Sequence, residues 1–357
     1  MPKTIFFLVP YPHGEAPSQR FRFEQYIPFL EEQGFRVEVH PFYDYNTWQT
    51  LYTEGNFLKK ARGVSRSFIK RFGLLFRLRE ADHIFIHREV AHAGPPVFEW
   101  IIAKVLRRKY IYDFDDAIWL PNYSETNARF HWIKAYWKVN YCMKWAYRIS
   151  AGNAYLADHA GKYNSRVEII PTTIDTVGYH NVQCDHSEEP VTIGWTGTHT
   201  TMRYLEFLVP VLRDLEKDHS FRFLVISNEE PDFTLASLEF RRWKKETEIE
   251  DLARIQIGVM PLEQDIWSEG KCGFKGLQYM SLGMATVMSP IGVNITILEH
   301  GVNGYLAAST EEWKTALKQL LEDPGLRTKL GQAGRKTVEE RYSVDAIKGK
   351  YLELFNP

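Results

Sequence analysis

The sequence predicts an α/β protein made of two doubly wound, Rossmann-like domains facing a cleft. Its 357 residues exceed what one ordinary hydrophobic core supports. Short apolar, β-rich runs alternate with longer amphipathic segments, the pattern of βα units on parallel sheets. The alternation breaks once, at 171–190, where PTTIDTVGYHNVQCDHSEEP has no sustained period and ends in a proline that disfavours helix before it.

The elements follow in order. Residues 1–170 form the first domain, with strands expected at Thr4–Pro10, Val37–His40, His83–His87, Tyr110–Tyr112, Ile149–Ala151 and Val167–Ile170. Residues 171–190 read as a linker. The second domain, 191–340, has strands expected at Val191–Trp195, Arg222–Ile226, Gln256–Met260, Ala285–Met288 and Gly304–Leu306, and 341–357 hold a terminal helix over Val344–Leu354. No internal repeat interrupts the series. Open sheets of this kind take ligands beyond the C-terminal ends of their strands, so function is sought in the loops that follow them.

Composition removes several classes. Forty-four basic residues against 45 acidic ones argue against wholesale nucleic-acid binding. No run approaches the roughly 20 apolar residues of a membrane span. The N-terminus enters the strand-like TIFFLVPYP without a charged leader, so a cytoplasmic protein is expected. Cys142, Cys184 and Cys272 are few and far apart, which fits neither a disulfide framework nor a zinc site.

One segment has the chemistry of a binding loop. GKCGFKGLQYMSLGMATVMSP, Gly270–Pro290, opens a helix at Gly273, where unsatisfied N–H groups and the helix dipole favour an anion. Lys271 and Lys275 add full charges, and a diphosphate is the natural guest. Gln278, three residues after Lys275, is placed to face the same ligand. A packed helix with solvated lysines is the plain alternative. IGWTGTHTT, Ile193–Thr201, ends the first strand of the second domain in Thr196, Gly197 and Thr198, small residues that let a phosphate or sugar approach backbone.

With these stretches, and with YPHGEAPSQRFRFEQYIPFLEEQGFRVEV, IFIHREVAHAGPPVFEW, YIYDFDDAIWLP, IIPTTIDTVGYH and ILEHGVNGYLA, nearly the whole chain resembles a GT-B glycosyltransferase of the large retaining family 4. The resemblance implies that the glycine-opened helix receives the diphosphate of a UDP- or GDP-sugar, with Thr196, Gly197, Thr198, Lys271, Gly273, Phe274, Lys275 and Gln278 binding the donor and no further cofactor or metal. It also implies a final helix that crosses back to the first domain. Two family glutamates, eight residues apart, contact the donor sugar and the ribose. Here those positions fall on Gly270, with Glu269 just before it, and on Gln278, which can still hydrogen-bond a diol. The basic pair usual after the first strand of the second domain is absent unless Arg203 serves, and the phosphate-neutralising role passes to Lys271 and Lys275. A branch of the family carries a similar Lys-Cys-x-Phe-Lys run followed by Leu-Gln-Tyr-Met.

In the first domain, Gly14, Pro17 and Ser18 shape a loop, Ser18 is expected to cap a helix beginning near Gln19, and Arg20 and Arg22 sit in its first turn. Cations there suit a nearby anion, so Gly14, Ser18 and Arg20 are candidates for acceptor or phosphate binding; two solvated arginines are the alternative. Asp115 and Asp116 in YDFDDAIW have three competing uses: sugar or acceptor contact, as the resemblance implies, a metal-binding Asp-x-Asp, or helix capping and bridging to Arg88. His87 ends the third strand as either a structural or a reacting group. Asp115, Asp116, His87 and Glu269 are the catalytic candidates. Cys272 reads as a small packed residue.

Residues 57–79, FLKKARGVSRSFIKRFGLLFRLR, hold eight basic and no acidic residues among Phe and Leu, which suits an interfacial helix on an anionic membrane. Solvated cations on a surface helix are the alternative. A second acid-free stretch, 129–148, is aromatic and is expected to pack on the sheet. The expected activity is retaining transfer of a sugar to an acceptor hydroxyl, on a glycan or lipid-linked precursor, by a cytoplasmic protein that is peripheral on the inner face of the membrane. A nucleotide-sugar epimerase and a silent membrane-bound scaffold are the rivals. A nicotinamide dehydrogenase is disfavoured because the first turn lacks Gly-x-Gly-x-x-Gly.

Overall fold

The computed structural model describes residues 2–51, 55–121 and 131–356, so part of the aromatic 129–148 stretch lies outside the described residues. The chain divides into two units, 1–172 with 348–357, and 173–347.

The first unit is a six-stranded parallel sheet: β1 (Thr4–Val9), β2 (Arg36–Pro41), β3 (His83–His87), β4 (Ile111–Phe114), β5 (Arg148–Ala151) and β6 (Val167–Ile169). The spatial order is β2-β1-β3-β4-β5-β6. Ile5 to Val9 are all buried, as expected for a central strand covered on both faces. The last helix, Val344–Glu353, adds a distant piece of chain to this core. Its Tyr351 stacks on Tyr26 with ring centroids 4.0 Å apart, and Phe355 meets Phe7 and Phe85 at 6.2 and 6.1 Å. The helix expected from Gln19 begins earlier, at Pro17, with Ala16 before it. Pro17 has the fixed φ that suits a first helical position, so Ser18 lies inside the turn and does not cap it.

The second unit is also six-stranded and parallel: β7 (Thr192–Gly197), β8 (Arg222–Ser227), β9 (Leu238–Arg242), β10 (Ile257–Met260), β11 (Ala285–Met288) and β12 (Tyr305–Leu306), in the order β12-β11-β10-β7-β8-β9. Trp195, Val225, Val259, Val287 and Trp313 pack in one core. β9 has no counterpart in the expected strand list. It is a half-buried edge strand whose Glu239, Arg241 and Arg242 mask the apolar signal.

Of residues 171–190, read as a linker, 173–190 belong to the second unit. The Asp175 carboxylate accepts from the N–H groups of Val177 and Gly178, and Ile174 bridges to Ser343. The Arg335 guanidinium donates to the carbonyls of Thr176, His180 and Ser281. Side chains satisfy this backbone, so no helical or strand period is needed to bury it.

Candidate functional site

In the second unit the strand order reverses between β7 and β10, and a doubly wound sheet opens its ligand crevice beyond the C-terminal ends of the strands at that point. β7 ends in the predicted Thr-Gly-Thr turn. Thr198 caps the short His199–Met202 helix in a capping box with Thr201. The Thr196 N–H donates to the Tyr279 phenol oxygen at 2.9 Å, tying this turn to the Phe274–Ser281 helix. Burial pushes the Tyr279 phenol up, so it stays neutral.

That helix is the one the sequence singled out. Gly273 opens it at φ +68°, and a Cβ there would lie 2.3 Å from Ile297 Cδ1, so both backbone and packing call for glycine. A Cβ on Gly276 would lie 2.1 Å from the Met288 sulfur: the helix rests directly on β11. Just upstream, Asp265 caps the Ile266–Glu269 helix, accepting from the Ser268 N–H at 2.6 Å. Gly292, in the loop after β11, approaches the Glu269 carbonyl so closely that a Cβ would sit 2.8 Å from it. The segments after β10 and β11 thus approach each other backbone to backbone.

Cations gather on this frame. The Lys275 ammonium lies 5.6 Å from the Trp195 ring centroid and the Lys271 ammonium 5.8 Å from that of Trp267. Arg203, immediately after the His199–Met202 helix, reaches within 3.8 Å of Asp265 and donates to the Tyr204 hydroxyl, which is 3.4 Å from Ser268 Oγ. Thr196, Gly197, Thr198, Arg203, Glu269, Lys271, Gly273, Phe274 and Lys275 therefore belong to one neighbourhood. Gln278 does not present its amide to solvent: it is buried, and Nε2 lies 3.3 Å from His180 Nε2. This partner is not legible in the sequence, because His180 lies in the segment read as linker.

In the first unit the order reverses between β1 and β3. The loop after β1 is built on two buried residues, Gln19 and Glu24, which hydrogen-bond at 3.1 Å. Gln19 holds Tyr11 through both N–H and carbonyl, and Glu24 accepts from the Gly14 N–H at 2.9 Å. Arg20 is buried with its guanidinium over the Phe21 ring. Arg22, expected in the first turn of the helix near Gln19, is fully buried. It donates to both Asp113 oxygens, to Ser150 Oγ at 3.1 Å and to the Ile170 carbonyl. His87 Nδ1 is 2.8 Å from Asp113 Oδ2, and the imidazole is wholly covered. Burial alone would raise the Asp113 carboxyl, but the Arg22 guanidinium, aided by His87, holds it well below the usual carboxylate range.

Asp115 and Asp116 both bridge to Arg88. Arg88, at φ +60°, donates Nε to Asp115 at 2.8 Å and Nη2 to Asp116 at 2.7 Å. Among the described residues no cluster of His, Cys, Asp or Glu has the makings of a metal site. Glu89, not among the sequence candidates, pairs with Lys138 at 2.7 Å and His92 at 2.6 Å. Burial would raise its carboxyl, but the Lys138 ammonium, with the His92 hydrogen bond beside it, pulls it down to about 2. The charged neighbours Arg88 and Glu89 beside His87 were the available signal; Lys138 lies too far along the chain to be paired with them by inspection.

Residues 190–323, which contain the whole helix-mouth neighbourhood, match the family model described as glycosyl transferases group 1. The chain has the GT-B fold, and its second unit carries a segment similar to the group 1 glycosyl transferases. Its fold is shared by solved structures of low identity. Sucrose-phosphate synthase of Thermosynechococcus elongatus is 12% identical with a TM-score of 0.70, over 99% of this chain and 98% of that one. A glycosyltransferase of Rickettsia africae is 13% identical at a TM-score of 0.71, with the same coverage. HepE of Anabaena, solved in complex with UDP-glucose, is 15% identical at 0.67 over 99% of both chains. No curated protein matches in sequence. The matched segment coincides with the β7–β12 sheet, apart from its two edges.

Proposed function

We propose that this glycosyltransferase moves a hexose-like sugar, with retention of anomeric configuration, from a nucleoside diphosphate to an acceptor hydroxyl. The observation that carries the reading is the Phe274–Ser281 helix mouth. A glycine start, Lys271 and Lys275 stand at the sheet reversal, held to the Thr196–Thr198 turn by the Tyr279 hydrogen bond. Breaking the bond from sugar to diphosphate leaves negative charge on the phosphate oxygens. Preorganised helix N–H groups and two ammonium groups stabilise that charge as it develops. In this reading the leaving phosphate takes the acceptor proton, so no side-chain base is assigned. Arg203 joins Lys271 and Lys275 as a third candidate phosphate partner. UDP-glucose in HepE and ADP in a starch synthase support a nucleoside-diphosphate donor. The proposed acceptor is a glycan or lipid-linked precursor, and the proposed setting is the cytoplasmic side of the membrane.

The test offers UDP-, GDP-, ADP- and TDP-sugars with a panel of lipid-linked and soluble glycans, following diphosphate release and the anomeric proton of the product by NMR. Retained configuration in a product made from one donor class is the expected result. An inverted linkage, or an epimerised sugar left on its nucleotide, contradicts the proposal.

A further inference from the structure

The Phe57–Arg77 helix of the first unit has two apolar faces. One packs inward and includes the buried Ser67 and Arg71, whose guanidinium donates to the carbonyls of His40 and Val9 at 2.9 and 3.0 Å. The other looks out. Leu58, Ile69 and Phe76 are 82%, 72% and 80% exposed, and their spacings of 11 and 7 residues bring them onto one line along the helix. Half-exposed Phe72 lies beside that line. Its ring is 4.8 Å from Phe98 of the neighbouring Val97–Trp100 helix, where Val97 and Trp100 are themselves exposed. Large apolar side chains gathered in this way on a folded surface mark an interaction site.

Cations border the stripe on one side. Arg62, Arg66, Lys59 and Lys70 follow it around the helix, and the helix holds no acidic residue. Lys70 is paired with Asp44, and Arg77 with Glu38 and Glu80. Among the described residues Lys59, Lys60, Arg62 and Arg66 make no ion pair. The order around the axis is thus core, exposed apolar stripe, then unpaired positive charge. A helix of 21 residues, about 30 Å long, that presents this order sinks its apolar line between acyl chains and sets its cations among anionic headgroups.

We infer that the first unit docks on an anionic phospholipid surface through the outer face of Phe57–Arg77, with Leu58, Ile69, Phe72 and Phe76 as the inserted residues. A second copy of the chain is a poorer occupant, because a two-fold contact through this face brings Arg62 and Arg66 against their own copies. The docking goes beyond the proposed transfer reaction and depends only on the first unit. No helix among the described residues is long and apolar enough to cross a membrane, so attachment at this surface is peripheral.

The test is co-flotation of the full chain with vesicles of phosphatidylcholine alone or with 30 mol% phosphatidylglycerol (about a third anionic lipid, enough for a strong surface potential). The wild type, Ile69→Ser/Phe76→Ser and Arg62→Glu/Arg66→Glu are compared, with thermal melting and diphosphate calorimetry as folding controls. The altered side chains are exposed, so both variants are expected to melt like the wild type and keep diphosphate binding. The inference expects wild-type binding to anionic vesicles at least about tenfold above neutral ones, and a comparable loss in each variant. Equal binding by a folded variant overturns it. So does failure of the wild type to bind anionic vesicles, or a concentration-dependent dimer that the Ile69→Ser/Phe76→Ser change abolishes. Loss of diphosphate binding in the wild type would count against the proposed function and leave the docking untouched.

Discussion

Asp113 shows how far a single residue of this protein departs from its appearance in the sequence. Read beside Asp115 and Asp116 it belongs to an acidic rim, yet it is the fully buried partner of Arg22, with both side chains wholly covered. Replacing it by Asn leaves a buried guanidinium without its counter-charge, and denaturant unfolding is expected to show a loss of about 3–5 kcal/mol. Its folded-state value lies below the unfolded one, so its ionised form stabilises the fold above roughly pH 4, and that stabilisation is lost as the pH falls through the folded value. Glu89, drawn down to about 2, contributes in the same direction. Thermal melting of the wild type from pH 6 to pH 3 is therefore expected to fall more steeply than that of Asp113→Asn; parallel curves would remove Asp113 as a cause. Tyr279→Phe is the matching test in the second unit. It leaves the Thr196 N–H without its partner, at an expected cost of about 1–3 kcal/mol, and loosens the turn proposed to hold the diphosphate. A variant of unchanged stability and affinity would show that this hydrogen bond does not hold the turn. The lysines of the helix mouth were legible because glycine, charge and apolar run stand next to one another in sequence. The partners of Asp113 and Gln278 were not, because Arg22 and His180 lie 91 and 98 residues away.

At the scale of elements, the strands were legible because each is an apolar run bounded by polar turns, and the expected centres agree with the observed strands to within a residue or two. β9 was missed for its charges, and 171–190 reads as a linker because side-chain hydrogen bonds leave no periodic mark. Arg335 is the fastening of that segment, with donors to Thr176, His180 and Ser281 and an ion pair to Glu339 at 2.6 Å. Arg335→Ala is expected to release it. Limited proteolysis should then cut within 176–190 several times faster than in the wild type, whereas an unchanged cleavage pattern would mean that Ile174 and Asp175 suffice. Loosening His180 also uncovers Gln278, so the same variant tests whether that amide reaches a ligand only when the segment moves.

At the scale of the molecule, the two sheets share one logic: parallel strands, order reversed at the first strand, and polar side chains collected at the C-terminal ends. The last helix gives Tyr351 and Phe355 to the first unit although they follow the whole of the second in sequence. Tyr351→Ala removes a stacked ring from a closed core, and unfolding of the first unit is expected to lose about 3–5 kcal/mol. Diphosphate binding to the second unit should be unaffected; a joint loss would show that the two units do not respond separately.

The central claim is that the mouth of the Phe274–Ser281 helix holds a nucleoside diphosphate. Isothermal calorimetry with UDP, GDP, ADP and TDP, with and without EDTA, on the wild type and Lys275→Ala tests it most directly. One diphosphate should bind selectively, without need of metal, and at least about tenfold more weakly to the variant, the scale of one lost hydrogen bond to a charged group. No binding by any of the four, or equal affinity in Lys275→Ala, would contradict it.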